Sequence, residues 1–374
     1  MLKRFVEEDI DTWYRRKHRK PLVVRGARQV GKSTLIRNFA DNHRLTLHEI
    51  NLERHPGLVR TFEKLDMGEI LRELEYISGK GKINTAGSLL FLDEIQAVPA
   101  AIKALRYFYE DYPELPLIAA GSMLEFALSD HSYSMPVGRI EYLYMGPMTF
   151  EEFLGAKNEN TLLELLASFC FEFPFPESAH QKLLKSQREF LMVGGMPEAV
   201  QVHIESDDFN EVMNVHSAII ETYRDDFAKY SQGIDLLRLH RIFDYVPSAA
   251  GEKVKYSNID PNEAEIFYWL REGRKENAEI DFVTQLEGQI VPVEVKSGTT
   301  GSLKSLHQFM NEKKLKKAVR FDLKPPSLMD AVHKLTHDPR NPGVSFRLLS
   351  LPLYMIEQLP RLFPLTSPVP MKEK

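Results

Sequence analysis

Two short runs carry residue types suited to phosphate chemistry. The first is Gly26-Ala-Arg-Gln-Val-Gly31-Lys32-Ser33, which follows the apolar run Leu22-Val23-Val24 and opens a segment of helical period from Lys32 to Asn42. Glycine backbone at a strand-to-helix turn presents N–H groups to an anion, and the helix N-terminus adds its own. The backbone of Gly26, Ala27, Arg28, Gln29, Val30 and Gly31, with Lys32, Ser33 and Thr34 at the start of the helix, is therefore expected to cradle phosphates. Lys32 is expected to reach the β and γ phosphates, and the Ser33 hydroxyl to ligate Mg²⁺. The second run, Leu89-Leu-Phe-Leu-Asp93-Glu94, is a buried-strand pattern that ends in two carboxylates. Ligands bind at such strand ends in parallel α/β sheets. Asp93 suits a Mg²⁺ partner, and Glu94 suits a group that orients and polarises an attacking water. Together the runs imply a site for ATP with Mg²⁺.

Further polar residues admit two readings each. Ser122 follows the apolar run Leu117 to Ala120 and fits either a γ-phosphate sensor or a helix N-cap before Met123. Arg139 precedes the last strand of this region and fits either an arginine finger toward a neighbouring subunit, hence a homo-oligomer, or a surface arginine. Arg28 is either solvated or near the nucleotide. In the C-terminal region, Glu279-Ile-Asp281-Phe and Val293-Glu294-Val-Lys296 belong to strands joined at Glu287-Gly288, a two-residue hairpin turn. In that register paired residue numbers sum to 575, which sets Asp281 opposite Glu294 and Glu279 opposite Lys296. Ile280, Phe282, Val291, Val293 and Val295 then fall on the other, apolar face. Opposed carboxylates need a cation between them, which is either Lys296 or a divalent metal. The plain alternative is a solvated hairpin face. The run Lys313-Lys314-Leu-Lys316-Lys317 reads as a solvated helix face that is also able to meet phosphate backbone.

The elements that must position these groups follow from periodicity. Short apolar runs at Leu22–Val24, Leu45–Leu52, Leu89–Leu92, Leu117–Ala120 and Tyr142–Met145 alternate with helix-period segments, the pattern of a parallel sheet with crossover helices. Thr149 followed by Glu152 predicts a capping box that opens a helix at Phe150. The reading divides the chain into an α/β domain at 1–155, a helical region with a partial winged helix at 156–260, a small α/β domain at 261–350 and a tail at 351–374. Lys253-Val-Lys-Tyr256 is the candidate wing strand. At 374 residues, with 43% hydrophobic and 27% charged residues, the chain has the composition of a packed multi-domain protein. A net charge of −5 argues against a wholesale nucleic-acid binder, so any such contact must be local. The single cysteine, Cys170, excludes an internal disulfide framework. An acidic N-terminus and the lack of any run of about 18 apolar residues lead to the expectation of a cytoplasmic protein without membrane partners.

Four runs in combination carry a resemblance: Val24 to Ser33, Phe91-Leu-Asp-Glu-Ile-Gln-Ala-Val-Pro99, Pro136-Val-Gly-Arg-Ile-Glu-Tyr-Leu143 and Val193-Gly-Gly-Met-Pro-Glu-Ala-Val200. The chain resembles a large prokaryotic family that joins an AAA+ ATPase domain to a C-terminal domain of unknown function with a restriction-endonuclease-like core. The similarity covers residues 1 to about 257 and resumes near 266. That family is related to the signal-transducing ATPases, and the resemblance implies that Gly195 and Pro197 contact the nucleotide. It also implies a winged helix, which either binds DNA or packs against the ATPase. At the hairpin it implies a PD-(D/E)XK nuclease site, with Asp281 and Glu294 as metal ligands and Lys296 beside the attacking water. Family members carry a block after the segment ending Asp260-Pro261 that this chain lacks, so the nuclease-like core is expected to be truncated and cleavage weak. The resulting expectation is an ATP-driven switch acting on C-terminal domains, with a nucleotide-regulated DNA-binding or DNA-cleaving protein as the alternative.

Overall fold

The computed structural model describes residues 2–83, 87–121, 138–230, 236–248, 267–271, 278–296, 303–333 and 344–366. The chain divides into two compact units, Met1–Lys157 with Met192–Ser248, and Asn158–Leu191 with Ala249–Lys374.

The first unit opens with α1 (Glu7–Tyr14), β1 (Leu22–Arg25), α2 (Lys32–Asn42), β2 (Thr46–Asn51), α3 (Leu58–Lys64) and α4 (Met67–Ser78). It continues with β3 (Ser88–Asp93), α5 (Pro99–Asp111), β4 (Leu117–Gly121), β5 (Glu141–Tyr144) and α6 (Phe150–Ala156). The five strands form a sheet of order β2-β3-β4-β1-β5, and every pairing is parallel. Side chains alternate across it. Val23, Leu90, Leu92, Leu117 and Ala119 join one core with α3, α4 and α5. Leu22, Val24, Leu89, Phe91, Ile118 and Ala120 join the opposite core with α1 and α2. Burial on both faces is why these strands read as unbroken apolar runs instead of alternating ones. The capping box is present, with Thr149 accepting from Glu152 N–H and Glu152 accepting from Thr149 N–H.

Two helices, α7 (Asn160–Ser168) and α8 (Glu177–Val193), belong almost wholly to the second unit, whereas α9 (Pro197–Ser206), α10 (Phe209–Tyr230) and α11 (Leu236–Ser248) belong to the first. The division differs from the helical region read at 156–260. Helical period shows where a helix is but not which core takes its apolar face. The wing-strand residues 253–256, and Asp260-Pro261 with the segment around them, lie outside the described residues.

The second unit holds β6 (Phe267–Arg271), β7 (Ala278–Leu286), β8 (Gln289–Val295), α12 (Lys304–Lys313), β9 (Lys317–Asp322), β10 (Ser327–His333) and β11 (Val344–Pro352). Its sheet order is β10-β11-β9-β8-β7-β6. Strand β9 is parallel to β8 and β11, and the remaining pairs are antiparallel. Ile280, Leu306, Phe309, Met310, Ala318, Phe346 and Leu348 form its core. Residues read as a tail are part of this unit: Tyr354, Met355, Leu362 and Phe363 are buried, the last two in and just after the short α13 (Leu359–Leu362). Tyr354 Oη lies 2.7 Å from His180 Nδ1 on α8, and Arg361 donates to the carbonyls of Leu166 and Phe169. The lysine run is not one helix face either. Lys313 ends α12, Lys314 turns left-handed at φ 56°, and Lys317 begins β9. No helix among the described residues is long and apolar enough to cross a membrane.

Candidate active site

The sheet order brings the two sequence runs together. The glycine loop leaves the C-terminal end of β1, Asp93 is the last residue of β3, and β4 lies between the two strands. Ser33, in the first turn of α2, donates its hydroxyl to Asp93 Oδ2 at 3.0 Å. Lys32 is 7% exposed and folds back, its Nζ donating to the carbonyls of Gly26 at 2.8 Å and Ala27 at 2.7 Å. Glycine is required at the head of the loop: Gly26 has φ 149°, and a Cβ there would stand 2.0 Å from the Met145 carbonyl oxygen. Gly31 caps α2 in a left-handed conformation and Gln29 adopts φ 63°, so the loop curls with its peptides held in unusual directions. Among the described residues no side chain caps the N-terminus of α2.

Asp93 is buried, and burial raises its pKa. The Ser33 hydrogen bond opposes that rise, while the Glu94 and Glu49 carboxylates add to it. Glu94 sits at φ 50° just beyond the strand and accepts from the Gln96 side-chain amide. Arg37 of α2 grips Glu49 of β2 through two hydrogen bonds of 2.9 and 2.6 Å.

Several residues that hold the loop were not legible in the sequence. Arg4, 6% exposed, donates to the Val30 carbonyl at 2.8 Å, to the Gly146 carbonyl at 2.8 Å and to Glu152 at 3.1 Å. On α10, Tyr223 donates to the Arg28 carbonyl at 3.2 Å, and Asp226 pairs with the Arg28 guanidinium at 2.7 Å. Arg28 is thus engaged by α10 and only partly exposed. These contacts join residues up to 198 positions apart with no periodic signal, although the charge of Asp226 on a buried helix face is an anomaly a sequence reader can flag.

Pro197, the first residue of α9, lies beside Gly31 of the loop, and Gly195 just before it packs on Met148. A Cβ on Gly195 would lie 2.2 Å from the Met148 carbonyl oxygen, and Met148 N–H donates to the Gly195 carbonyl at 2.6 Å. Pro197, with Gly31, Thr34, Leu35, Asn38 and Met145, lines a cleft of about 280 Å³ beside the loop. Arg139 stands apart, exposed, its guanidinium paired with Glu110 at 3.1 Å next to Arg106. Ser122 lies outside the described residues.

In the second unit the observed register, Phe282 with Val293 through Leu286 with Gln289, keeps the sum of 575, and Glu287 and Gly288 take φ 50° and 72° as the tight turn requires. The apolar face is broken, however. Ile280, Val291 and Val293 are buried, but Phe282 is 44% and Val295 40% exposed. Strand β8 is interior, between β7 and β9, so Val291 to Glu294 are buried on both faces, and Ile280 and Val283 pack on the same core. Glu294, 4% exposed, accepts from Lys296, and Asp281 accepts from Val295 N–H at 2.7 Å. Burial raises the Glu294 pKa. Lys296 opposes that rise, and the carboxylates of Asp281 and Glu279 add to it. Lys296 thus pairs with Glu294, where Glu279 is the expected partner, and Asp281 and Glu279 add their charge to a more buried setting.

Residues 18–154 match the family model described as an AAA domain. Residues 184–266 and 249–327 match two domains of unknown function, DUF8612 and DUF4143. Among solved structures the chain is similar to the ORC2 protein of Aeropyrum pernix, in ADPNP and ADP complexes, at 15% identity over 54% of this chain and 66% of that one, with a TM-score of 0.29. It is similar to a structure describing katanin self-assembly at 12% identity over 54% and 62%, TM-score 0.30, and to C. elegans PCH-2 at 13% over 57% and 63%, TM-score 0.28. The chain thus spans somewhat under two thirds of the length of those solved chains. No curated protein matches the sequence.

Proposed function

We propose that the AAA-type domain binds ATP at Gly26 to Ser33 and hydrolyses it with Mg²⁺, and that turnover repositions the C-terminal region of the chain. The observation that carries this reading is the meeting of Ser33 with Asp93, which sets a hydroxyl and a carboxylate beside a buried, loop-bound lysine. Phosphate oxygens are better partners for Lys32 than the carbonyls it now caps, so the ammonium exchanges one set for the other as the triphosphate enters. Ser33 and Asp93 fit Mg²⁺, which when bound neutralises charge on the β and γ phosphates. Glu94, held by Gln96, orients and polarises the attacking water. The cleft against Pro197 receives the base, with Val30, Leu35 and Met145 as apolar walls and Asn38 and Gln201 as polar ones. Pro197 in that cleft is the support for assigning the signal-transducing type in this reading.

Mg·ATP hydrolysis by wild type, Lys32→Ala and Glu94→Gln tests the proposal. Removal of a general base is expected to lower turnover about 10²-fold or more. Equal turnover in all three proteins would sink it. The switch is tested separately, by hydrogen exchange of residues 278–366 with and without ATP; identical protection would remove it.

Asp281, Glu294 and Lys296 favour a second reading for the other unit, a nuclease-like site whose carboxylates take a divalent cation. It predicts Mn²⁺-dependent thermal stabilisation that Asp281→Asn removes, and DNA nicking that Lys296→Ala removes. Nicking that survives Lys296→Ala would count against it.

A further inference from the structure

Helix α10 touches the loop on a face that the reaction derived above leaves unused. His216, Ile219, Tyr223 and Asp226 share that face by helical spacing. Ile219 is buried, and His216 Nε2 lies 2.9 Å from the Val193 carbonyl, next to Gly194. Farther along, Tyr223 and Asp226 take the carbonyl and the guanidinium of Arg28. One helix therefore contacts both the phosphate loop and the turn that leads into Pro197. Asp226 is 4% exposed and lies 2.7 Å from the Arg28 guanidinium, so removal of either group strands a buried polar partner. Burial raises the Tyr223 phenol pKa, so the hydroxyl is a donor at any working pH. The next residue, Gln29, has φ 63°, a conformation that persists only where the surroundings hold it.

We propose that Tyr223 and Asp226 are positioning residues for ATP: by gripping Arg28 from outside, they hold the cradle in its binding shape before the triphosphate arrives. Preorganisation of this kind raises affinity by removing the cost of ordering the loop on binding. Arg28 thereby acts as the handle, and its guanidinium is kept away from the phosphates. The inference rests on the nucleotide-site reading above and extends it to a helix outside the matched AAA domain.

The test is a titration of a fluorescent N-methylanthraniloyl ATP with Mg²⁺ into wild type, Lys32→Ala, Tyr223→Phe, Asp226→Asn and Asp226→Glu, with thermal unfolding of each protein without nucleotide. Loss of one or two polar contacts corresponds to about 5- to 30-fold in an equilibrium constant. Asp226→Asn and Tyr223→Phe are expected to weaken binding by that order. KM should rise and kcat should stay nearly constant, and Asp226→Glu should recover part of the loss. Tyr223→Phe removes a single oxygen, so it keeps the test valid where Asp226→Asn fails to fold. Wild-type affinity in both variants would overturn the positioning role alone, as would lower thermal stability with unchanged affinity per folded molecule. Absence of binding by wild type, or equal binding by Lys32→Ala, would overturn the nucleotide-site reading and this role with it.

Discussion

Ser33 and Asp93 join the first turn of α2 to the end of β3 through a 3.0 Å hydrogen bond, and Asp93 stays buried with Glu94 and Glu49 nearby. Burial lifts its pKa above the ordinary carboxylate value. A carboxyl raised in the folded state gives stability that is complete below its unfolded pKa and is lost as pH rises through the folded one. An ionised Asp93 therefore costs the fold stability at neutral pH. Asp93→Asn should unfold at a higher temperature than wild type near pH 7 without Mg²⁺, the gap closing as pH falls through the carboxylate range, while ATPase activity is lost. Thermal unfolding across pH, beside turnover, checks both. A less stable Asp93→Asn at neutral pH would contradict the argument.

Two glycines leave no room for a side chain: a Cβ would stand 2.0 Å from Met145 O at Gly26 and 2.2 Å from Met148 O at Gly195. Gly26 also has φ 149°, so alanine there adds backbone strain of about 1–3 kcal/mol to the clash. Gly26→Ala should destabilise the first unit and abolish nucleotide binding together. Gly195→Ala should open the Met148 N–H to Gly195 carbonyl bond and weaken binding through the cleft, with the loop itself intact. A denaturant series with and without ATP distinguishes them, because ligand stabilisation should vanish in the first variant and merely shrink in the second.

Local signals explain how much of this was readable. The strand, glycine loop and helix from Leu22 to Asn42 emerged almost residue for residue, because a fully buried strand and a helix-opening turn leave dense local patterns. The capping box at Thr149 and the hairpin at Glu287-Gly288 are likewise short-range devices. Arg4, Tyr223 and Asp226 were not found, since each acts on a carbonyl or guanidinium far away in sequence. Leu359, Leu362 and Phe363 were read as tail because a short apolar segment shows its burial only once the partner core is known.

Arg4 and Glu152 form a pair with side chains 7% and 3% exposed, and the same guanidinium holds the Val30 carbonyl inside the loop. Breaking a buried pair by removing one partner costs about 3–5 kcal/mol, because the other charge is stranded. Glu152 keeps its bonds to the N–H groups of Phe5 and Thr149, so Arg4→Ala should fall at the low end. The expected result is a lower unfolding midpoint in urea with an unchanged slope, and weaker ATP binding. Arg4→Lys restores charge without the three-way fork and should recover stability in part but affinity less.

Glu110 binds both Arg106 and Arg139 on the surface, and the two guanidinium groups hold its carboxyl below the usual range, Arg106 foremost. Fully exposed pairs are screened by solvent, so their loss should leave stability nearly untouched. Arg139 is therefore held loosely, by an exposed pair with Glu110. If Arg139 serves as a finger in trans, ATPase activity per subunit rises with protein concentration, and Arg139→Ala abolishes the rise. Glu110→Gln frees the finger and should shift the rise to lower concentration by about 1.5- to 5-fold, the range expected for an exposed ion pair. Turnover that does not depend on concentration would exclude that role and leave Arg139 as a surface arginine bound to its own α5.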